Sequence, residues 1–287
     1  MTPPRLASRF APSPTGLLHR GHAFSALSAA KIAADLGGRL ILRIEDIDTE
    51  RCRPAFEAAI LDDLVWLGLS WETPVRRQSE HLSDYQAVLD CLRADGLIYR
   101  CFKTRKEILA DIGRAPHGPG VAYRGAPLDP QAEARRLEAG APFAWRLSLD
   151  AARERLGEPD FEALSFEEQG LGPSGERGLI PIRPEGLGDE ILARKGLGVA
   201  YHLAVVVDDA LQGVTHVVRG ADLFEATFIQ RLLQALLGLP TPVYHHHPLV
   251  LGPDGKRYAK RDHAQTLADL RASGVTAQRL RMELGFG

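Results

Sequence analysis

The sequence predicts an α/β fold in which helices flank a parallel sheet and an α+β subdomain is inserted into the chain. Between residues 9 and 100, strand-like segments alternate with segments of helical periodicity, and such alternation is typical of a parallel sheet with right-handed crossovers. From about residue 103 to 185, Gly- and Pro-rich stretches interrupt this alternation. Because the alternation then resumes, we expect an insertion between two halves of one domain.

Local signals define the first elements. The segment SRFAPS predicts the first strand, a helix is expected over about residues 22–36, and GRLILRIED predicts the next strand. Pro54 stands at a first-turn position and opens a second helix, AFEAAILDDLVWLG, which Gly68 ends.

A third helix and the insertion follow. Ser83 and Gln86 have the spacing of a capping box for DYQAVLDCLRADG, and Gly96 ends this helix before the strand LIYRCF. Within the insertion, a short charged helix is expected from Gln131 to Glu138, and PFAWRLSL predicts a strand.

The second half of the core begins with GVAYHLAVVVDD, whose β-branched run predicts a buried strand. The segment THVVRG predicts another strand, and Asp222 with Glu225 predicts a capping box for the helix LFEATFIQRLLQALLG before a last strand, VYHHHPLVL. The predicted domains are a core of residues 1–102 and 188–262, an insertion of residues 103–187, and a short helical tail of residues 263–287.

Composition narrows the class of protein. The chain has 287 residues, 45% of them hydrophobic, and can bury a sizeable core. Lys and Arg number 35 against 37 Asp and Glu, so net charge neither supports nor excludes an RNA partner, which would need a local patch. Three cysteines are too few for a disulfide framework, and neither an apolar leader nor eighteen consecutive apolar residues occur. We therefore expect a cytoplasmic protein without a membrane partner.

The segment APSPTGLLHRGHAF, residues 11–24, places a Pro/Gly turn and two histidines directly before a helix. The start of a helix binds anions because its first N–H groups lack intrahelical partners and its dipole adds positive charge. His19 and His22 are placed to contact a phosphate there, and Gly21 leaves room for a base to approach the backbone. Alternatively, the histidines only cap the helix or are solvated, and this segment alone leaves both interpretations open.

Four segments occur in a fixed order: RFAPSPTGLLHRGHA, LRIEDIDTER, AYHLAVVVDDALQGVTHVVRGADLF and RYAKRDHA. Together they closely resemble the Rossmann-type catalytic core of class I aminoacyl-tRNA synthetases of the glutamyl type. The run His19-Arg20-Gly21-His22 is similar to the HIGH motif of that family, with Arg20 at a usually apolar position. The run from Arg257 to Arg261 is similar to the KMSKS-type loop, and Lys260 matches its second lysine.

The resemblance implies a ligase that joins an amino acid to ATP, with Mg²⁺ as the accompanying ion, and then transfers it to RNA. It assigns catalysis to His19, His22 and Lys260, which would stabilise charge on the α-phosphate and the departing pyrophosphate. It assigns the ATP contacts to these three residues and Gly21. The L-glutamate contacts that the resemblance implies are Arg9, Phe10, Ala11, Pro12, Ser13, Glu45, Tyr201 and Arg219.

The charges of three of these residues suit glutamate. This amino acid carries two carboxylates and an ammonium group, so its pocket needs planar cations and an acid. Arg9, Glu45 and Arg219 stand at the ends of predicted strands and supply both. Ordinary ion pairing at a strand end is the alternative for each residue alone, and a solvated loop is the alternative for Lys260.

The tRNA-charging members of this family continue into an anticodon-binding region, whereas this sequence ends at Gly287. It therefore resembles a truncated subfamily without an anticodon-binding domain. That resemblance implies activation of glutamate without tRNA, and its transfer to the queuosine base at the wobble position in the anticodon arm of tRNA(Asp). The alternatives are a minimal glutamyl-tRNA synthetase that charges a tRNA 3′ end, a non-catalytic RNA-binding module, and glutamate transfer to a protein or carrier.

Members of this subfamily often hold structural zinc in the insertion through Cys-x-Cys and a later Tyr-x3-Cys. Cys101 and Tyr123 match two of these positions, but Lys103 and Pro127 replace the two cysteines. One thiolate and one phenol do not complete a four-ligand zinc site, so we predict no metal site. The histidines of YHHHP, residues 244–248, alternate faces of a strand and are not expected to converge on one ion.

Overall fold

Strands and helices alternate through most of the chain. The computed structural model describes residues 5–114, 122–182, 186–194, 198–250 and 265–287. The strands are β1 (Ala7–Phe10), β2 (Arg39–Ile44), β3 (Glu72–Arg77), β4 (Ile98–Cys101), β5 (Ala144–Leu147), β6 (Ser165–Glu168), β7 (Gly178–Pro181), β8 (Ile191–Arg194), β9 (Gly198–Val199), β10 (His216–Gly220) and β11 (Val243–His247). The helices are α1 (Arg20–Asp35), α2 (Pro54–Trp66), α3 (Leu82–Ala94), α4 (Arg105–Arg114), α5 (Pro130–Glu138), α6 (Leu149–Leu156), α7 (Glu158–Glu162), α8 (Tyr201–Leu211), α9 (Ala226–Leu236), α10 (Leu267–Ala272) and α11 (Ala277–Glu283).

The main sheet has seven strands in the order β3-β2-β1-β10-β11-β6-β7. The first six run parallel, and β7 pairs with β6 antiparallel. Ala7 and Ile41 pack on the face that α8 and α9 cover, while Phe10 and Leu42 pack on the face of α1 and α2. Side chains of one strand thus enter two cores, as their alternation requires, and the carboxyl ends of six strands lie along one edge. The α/β fold class is confirmed.

A second, antiparallel sheet has the order β4-β5-β8-β9. The strands of this sheet come from both sides of the predicted domain boundaries: β5 lies within the predicted insertion, whereas β4 precedes residue 103 and β8 and β9 follow residue 187. Conversely, β6 and β7 belong to the predicted insertion but join the main sheet. Strand pairing decides which sheet a segment joins, and local composition did not reveal that pairing.

The prediction of a buried strand over GVAYHLAVVVDD is wrong, because most of this segment forms α8. Residues 203–209 are all buried, and a helix buried on every side has no polar face to reveal its period. The β-branched run favours a strand, but packing against α3 and α9 overrides that preference. Tyr201 consequently begins a helix, and Asp208 and Asp209 lie near its end.

Neither predicted capping box forms. A 3₁₀ turn over residues 78–81 leads into α3, whose first residue is Leu82, and His81 caps it without a side-chain bond. A second 3₁₀ turn precedes α9, where the Thr227 N–H already donates to the carbonyl of Phe224. Because turns deliver the chain directly into these helices, Ser83 and Asp222 are not the residues that cap them.

The C-terminal segment packs against the core through two short helices, α10 and α11, where the sequence predicts about one. Leu267, Leu270 and Leu280 are buried beside α1 and α2, and the Leu267 N–H donates to the carbonyl of Leu18 at 2.8 Å. Within the described ranges, the helices lack the combination of length and apolarity that crossing a bilayer requires.

Candidate functional site

A cavity of about 390 Å³ opens where β1, β2 and β10 end and α1 begins. Parallel strands bring residues that are distant in sequence to one edge of a sheet. The predicted residues that line the cavity are Arg9, Phe10, Ala11, Pro12, Ser13, His19, Gly21, His22, Glu45, Tyr201 and Arg219. Lys260 and the rest of the KMSKS-type loop lie outside the described residues.

The two histidines of the HIGH-like run cap α1 and also line the cavity. The Nδ1 atom of His19 accepts from the Gly21 N–H at 3.1 Å, and Nδ1 of His22 accepts from the His19 N–H at 3.2 Å. A neutral imidazole whose Nδ1 accepts carries its proton on Nε2, which makes Nε2 a donor. Capping and phosphate binding are therefore compatible, since the cap selects the tautomer with a hydrogen-bond donor at the other nitrogen.

Gly21 and Arg20 have local roles beside these histidines. A Cβ atom at position 21 would lie 3.1 Å from the ring of His19, so glycine gives that ring room to cap the helix. Arg20, which replaces an apolar residue of the motif, forms an ion pair with Glu283 of α11 at 2.6 Å. His19 also forms an isolated antiparallel β-bridge with Thr266. The ion pair and this backbone pairing attach the C-terminal segment to the start of α1.

Arg9 and Glu45 approach the cavity from neighbouring strands. Arg9 donates to the carbonyl of Val218 at 3.0 Å, and its Nε lies 3.4 Å from Asp209. The Glu45 N–H donates to the carbonyl of Pro12 at 3.0 Å, which fixes the loop after β1 over the end of β2. Burial raises the pKa of the Glu45 carboxyl, and the Arg43 and Arg9 guanidinium groups only partly offset this effect.

Sequence reasoning missed Arg43, which is fully buried beneath Glu45. Arg43 donates to Glu45 at 3.0 Å and to Asp209 at 2.8 Å. Burial disfavours its charge, but the carboxylates of Asp209, Glu45 and Asp208 outweigh burial and raise the pKa of the guanidinium. Its signal was available, because Arg43 and Glu45 are two residues apart at the end of β2 and therefore lie on the same face of the sheet.

Asp208 and Asp209 complete this buried network. Asp208 accepts from Arg76 at 2.7 Å and from Gln78 and Tyr85 at 2.8 Å. Burial alone would raise the pKa of Asp209, but Arg43 and Arg9 hold it below its usual range. The two aspartates therefore hold arginines in place under the cavity, and the sequence did not predict this role.

The opposite wall contains Arg219 and Tyr201. Arg219 is 5% exposed and donates to Thr227 at 2.7 Å, to Gln230 at 2.9 Å and to His246 at 3.1 Å. Burial raises the pKa of the Tyr201 phenol, so this group stays protonated.

Ser25 and His247 also line the cavity and were not predicted. The Ser25 hydroxyl lies 2.9 Å from Nε2 of His247. This contact links the first helix to the end of β11.

Three of the positions that correspond to the zinc ligands of the subfamily, Cys101, Lys103 and Tyr123, lie close together, but their side chains do not fit a metal. The Cys101 thiol lies 3.8 Å from the Tyr123 hydroxyl, while Lys103 lies 5.8 Å and Arg146 4.8 Å from the centre of the Tyr123 ring. Two cations beside the ring oppose binding of a third. Burial and the neighbouring Cys101 raise the pKa of the phenol, which keeps it neutral.

Metal-ligating residues do not cluster elsewhere in the described part of the chain, where no group of three or more His, Cys, Asp or Glu side chains could hold a metal ion. In the YHHHP run, His246 contacts Glu168 and His247 contacts Ser25. Their separate partners agree with the predicted alternation along a strand.

Comparison with known proteins identifies relatives over nearly the whole chain. The family model of class I tRNA synthetases (E and Q), catalytic domain, matches residues 5–137 and 175–284. A glutamyl-Q tRNA(Asp) synthetase of Rhodobacter capsulatus is 48% identical over 98% of this chain and 100% of that protein, and one of Nocardia farcinica is 44% identical over 96% and 82%. A glutamate–tRNA ligase of Prochlorococcus marinus is 36% identical over 94% of this chain and 56% of that protein.

A solved structure supports the same assignment. The crystal structure of a glutamate tRNA ligase from Elizabethkingia meningosepticum, in complex with its amino acid, matches 90% of this chain with a TM-score of 0.73 and 27% identity. The match covers 52% of that ligase, so the chain spans about half the length of this solved relative.

Proposed function

We propose that this chain, which belongs to the family of class I tRNA synthetases (E and Q), catalytic domain, activates L-glutamate with ATP. We propose further that this activation does not require tRNA. The glutamyl group then passes to queuosine in the anticodon arm of tRNA(Asp). The chain is a ligase by its family. The observation that carries the proposal is the convergence of Arg9, Glu45 and Arg219 on one cavity beside the histidines of α1.

The charges around the cavity suit glutamate. Its ammonium group would bind the Glu45 carboxylate, and the two guanidinium groups would bind its carboxylates. Glu45 is buried on Arg43, and Arg219 is surrounded by fixed polar partners. Such buried, hydrogen-bonded groups are already oriented, so binding costs little reorganisation.

The histidines suit the phosphates of ATP. An oxygen of the amino-acid carboxylate forms a bond to the α-phosphorus, the bond from that phosphorus to the bridging oxygen breaks, and pyrophosphate leaves with the electron pair. Donors on His19 and His22, together with the N-terminal dipole of α1, would stabilise the charge on these oxygens. Mg²⁺ would accompany the phosphates, and the sequence match assigns a similar role to Lys260.

The acceptor RNA is proposed from the relatives. Four of the relatives at 40–48% identity are named glutamyl-Q tRNA(Asp) synthetase, which supports queuosine as acceptor. Relatives at 36% and 39% identity are named glutamate–tRNA ligase, which favours charging of a tRNA 3′ end as the second candidate.

Activation is tested by ATP–pyrophosphate exchange without tRNA. We expect exchange with L-glutamate and not with L-glutamine or L-aspartate. Arg219→Met should abolish it, whereas the matched control Arg93→Met on the exposed face of α3 should not change it. Exchange that needs tRNA, or that prefers glutamine, would contradict the proposal.

The acceptor is tested with tRNA(Asp) that contains or lacks queuosine. Transfer of labelled glutamate only to the queuosine-containing tRNA supports the proposal. Equal transfer to both tRNAs would instead support aminoacylation at the 3′ end.

A further inference from the structure

Three side chains form a buried row that leads away from the proposed glutamate site. In the parallel register, Arg219 of β10 lies beside His246 of β11. Glu168, at the end of the next strand β6, bonds to the His246 side chain. His246 and Glu168 are 0% and 1% exposed. Neither of them lines the cavity, and neither is assigned a contact with glutamate or ATP.

The hydrogen bonds of this row fix the positions of its protons. The Nε–H group of Arg219 can only donate, so Nε2 of His246 accepts at 3.1 Å. The ring proton is therefore on Nδ1, which donates to Oε2 of Glu168. The other oxygen of Glu168 accepts from the backbone N–H of His246 at 2.9 Å and of Gly170 at 2.8 Å.

Charge in the row follows from these bonds. Burial lowers the pKa of His246, so the ring is neutral at pH 7. Burial alone would raise the pKa of Glu168, but the hydrogen bonds from His246 outweigh it and lower that pKa. The row therefore consists of a carboxylate, a neutral imidazole and a guanidinium, an arrangement in which the outer carboxylate orients the ring.

The segment that holds Glu168 is fitted closely to His246. A Cβ atom at Gly170 would lie 2.1 Å from the carbonyl oxygen of His246, a distance that no side chain tolerates. The Leu171 N–H donates to that same carbonyl at 2.8 Å. Glycine at position 170 thus allows residues 168–171 to pass directly along β11, which keeps the carboxylate within reach of the imidazole.

This row orients Arg219 without neutralising it. The direct partners of its guanidinium are the neutral groups of His246, Thr227 and Gln230, and none of these described partners is a carboxylate. A carboxylate in direct contact would offset most of the attraction of Arg219 for an anionic ligand. With an imidazole between them, Glu168 anchors the geometry while the positive charge still faces the cavity.

We propose that Glu168 and His246 are positioning residues that hold the Arg219 guanidinium in the orientation that selects a substrate side-chain carboxylate over an amide. The inference rests on the proposed function, because it assigns a glutamate carboxylate to Arg219. It predicts that changes in the row alter discrimination between L-glutamate and L-glutamine more than they alter the use of ATP.

The imidazole offers a matched pair of substitutions. In His246→Asn an amide nitrogen stays near the Nδ1 position, but no acceptor remains for Arg219. In His246→Gln an amide oxygen reaches the Nε2 position and accepts from Arg219. In ATP–pyrophosphate exchange we expect KM for glutamate to rise about tenfold in the Asn variant and less than about threefold in the Gln variant, with KM for ATP within about twofold in both.

The carboxylate is tested by Glu168→Gln, with Glu167→Gln as a control on the exposed side of the same strand. The Glu168 variant should raise KM for glutamate about three- to tenfold and lower the preference for glutamate over glutamine. The control should match wild type. Calorimetric binding of L-glutamate to the full chain provides a readout that does not depend on turnover.

The outcomes separate the two proposals. Wild-type values for both Glu168→Gln and His246→Asn would overturn the positioning role. Equal losses in the Asn and Gln variants, with KM for ATP rising in parallel, would indicate a merely structural role and also overturn it. If the Asn variant does not fold, Glu168→Gln alone decides: wild-type KM for glutamate, or a parallel rise of KM for glutamate and for ATP, would overturn the positioning role. Absence of glutamate-dependent exchange in wild type would contradict the proposed function itself, and the positioning role would fail with it.

Discussion

Asp63 is expected to lower stability at neutral pH. It lies on α2 and is 1% exposed, and Oδ2 has no hydrogen-bond partner among the described residues. Among the described residues it pairs with Arg271 of α10, at 3.6 Å, a side chain that is itself 43% exposed. Burial raises the pKa of the Asp63 carboxyl to about 6, and Arg271 offsets only part of that effect.

The size of the effect follows from this pKa. A carboxyl whose pKa is raised on folding contributes stability below its unfolded pKa, and this contribution is lost as the pH rises through about 6. The difference from the ordinary value of 3.8 corresponds to about 3 kcal/mol once the group is ionised, at about 1.4 kcal/mol per pKa unit. Asp63→Asn removes the buried charge and keeps the shape of the side chain. We expect the variant to be more stable than wild type by up to about 3 kcal/mol at pH 7.5 and nearly equal to it at pH 4.

Urea unfolding of both proteins between pH 4 and 8 measures this difference. Subtracting the wild-type curve from the variant curve removes the contributions of carboxyls whose pKa is lowered on folding, which have the opposite sign. Asp62→Asn, the exposed neighbour on the same helix, should change stability by less than about 0.5 kcal/mol. A difference that is constant with pH, or that is largest at pH 4, would refute the reasoning.

Three further results are expected. Arg43→Met should destabilise the fold by about 3–5 kcal/mol in urea unfolding, because Glu45, Asp208 and Asp209 lose a buried cation. A loss below about 1 kcal/mol would show that this buried cation contributes little to stability. Glu45→Gln should raise KM for glutamate at least about tenfold with little change in KM for ATP, since it removes the negative charge that pairs with the ammonium group and puts an amide NH2 donor in place of one acceptor oxygen. Lys260→Ala should abolish ATP–pyrophosphate exchange without changing the thermal unfolding temperature, and retained exchange would show that the loop match is misplaced.

The site was more predictable from sequence than the network beneath it. Arg9, Glu45 and Arg219 are charged residues at the ends of apolar strands, and the parallel-sheet pattern places such ends together. Their supports are remote in sequence: Arg43 reaches Asp209 across 166 positions, and His246 reaches Glu168 across 78. Local periodicity contains no information about such pairings.

The errors in secondary structure have the same origin. A β-branched run such as residues 205–207 suits a buried strand or a buried helix, and only its packing between α3 and α9 decides for the helix. Similarly, the Ser83 and Asp222 signals for helix starts are genuine local patterns, but the incoming 3₁₀ turns determine where α3 and α9 begin. Sequence therefore brought the residues of the proposed site to one edge of the sheet, where they line one cavity, while the identity of several elements around it depended on tertiary contacts.

The two arginines of the cavity differ in how their charge is compensated. Arg9 lies 3.4 Å from the Asp209 carboxylate, and Arg43 lies 2.8 Å from the same carboxylate. Asp209 therefore offsets part of the attraction of Arg9 for a ligand carboxylate. Arg219 has neutral direct partners, and its orienting carboxylate, Glu168, acts through the His246 ring. The stronger positive potential is therefore expected on the Arg219 side of the cavity. Under the proposed function, Glu45 and Arg9 would suffice for the ammonium and carboxylate of any amino acid, so we assign the second, distal carboxylate of glutamate to Arg219.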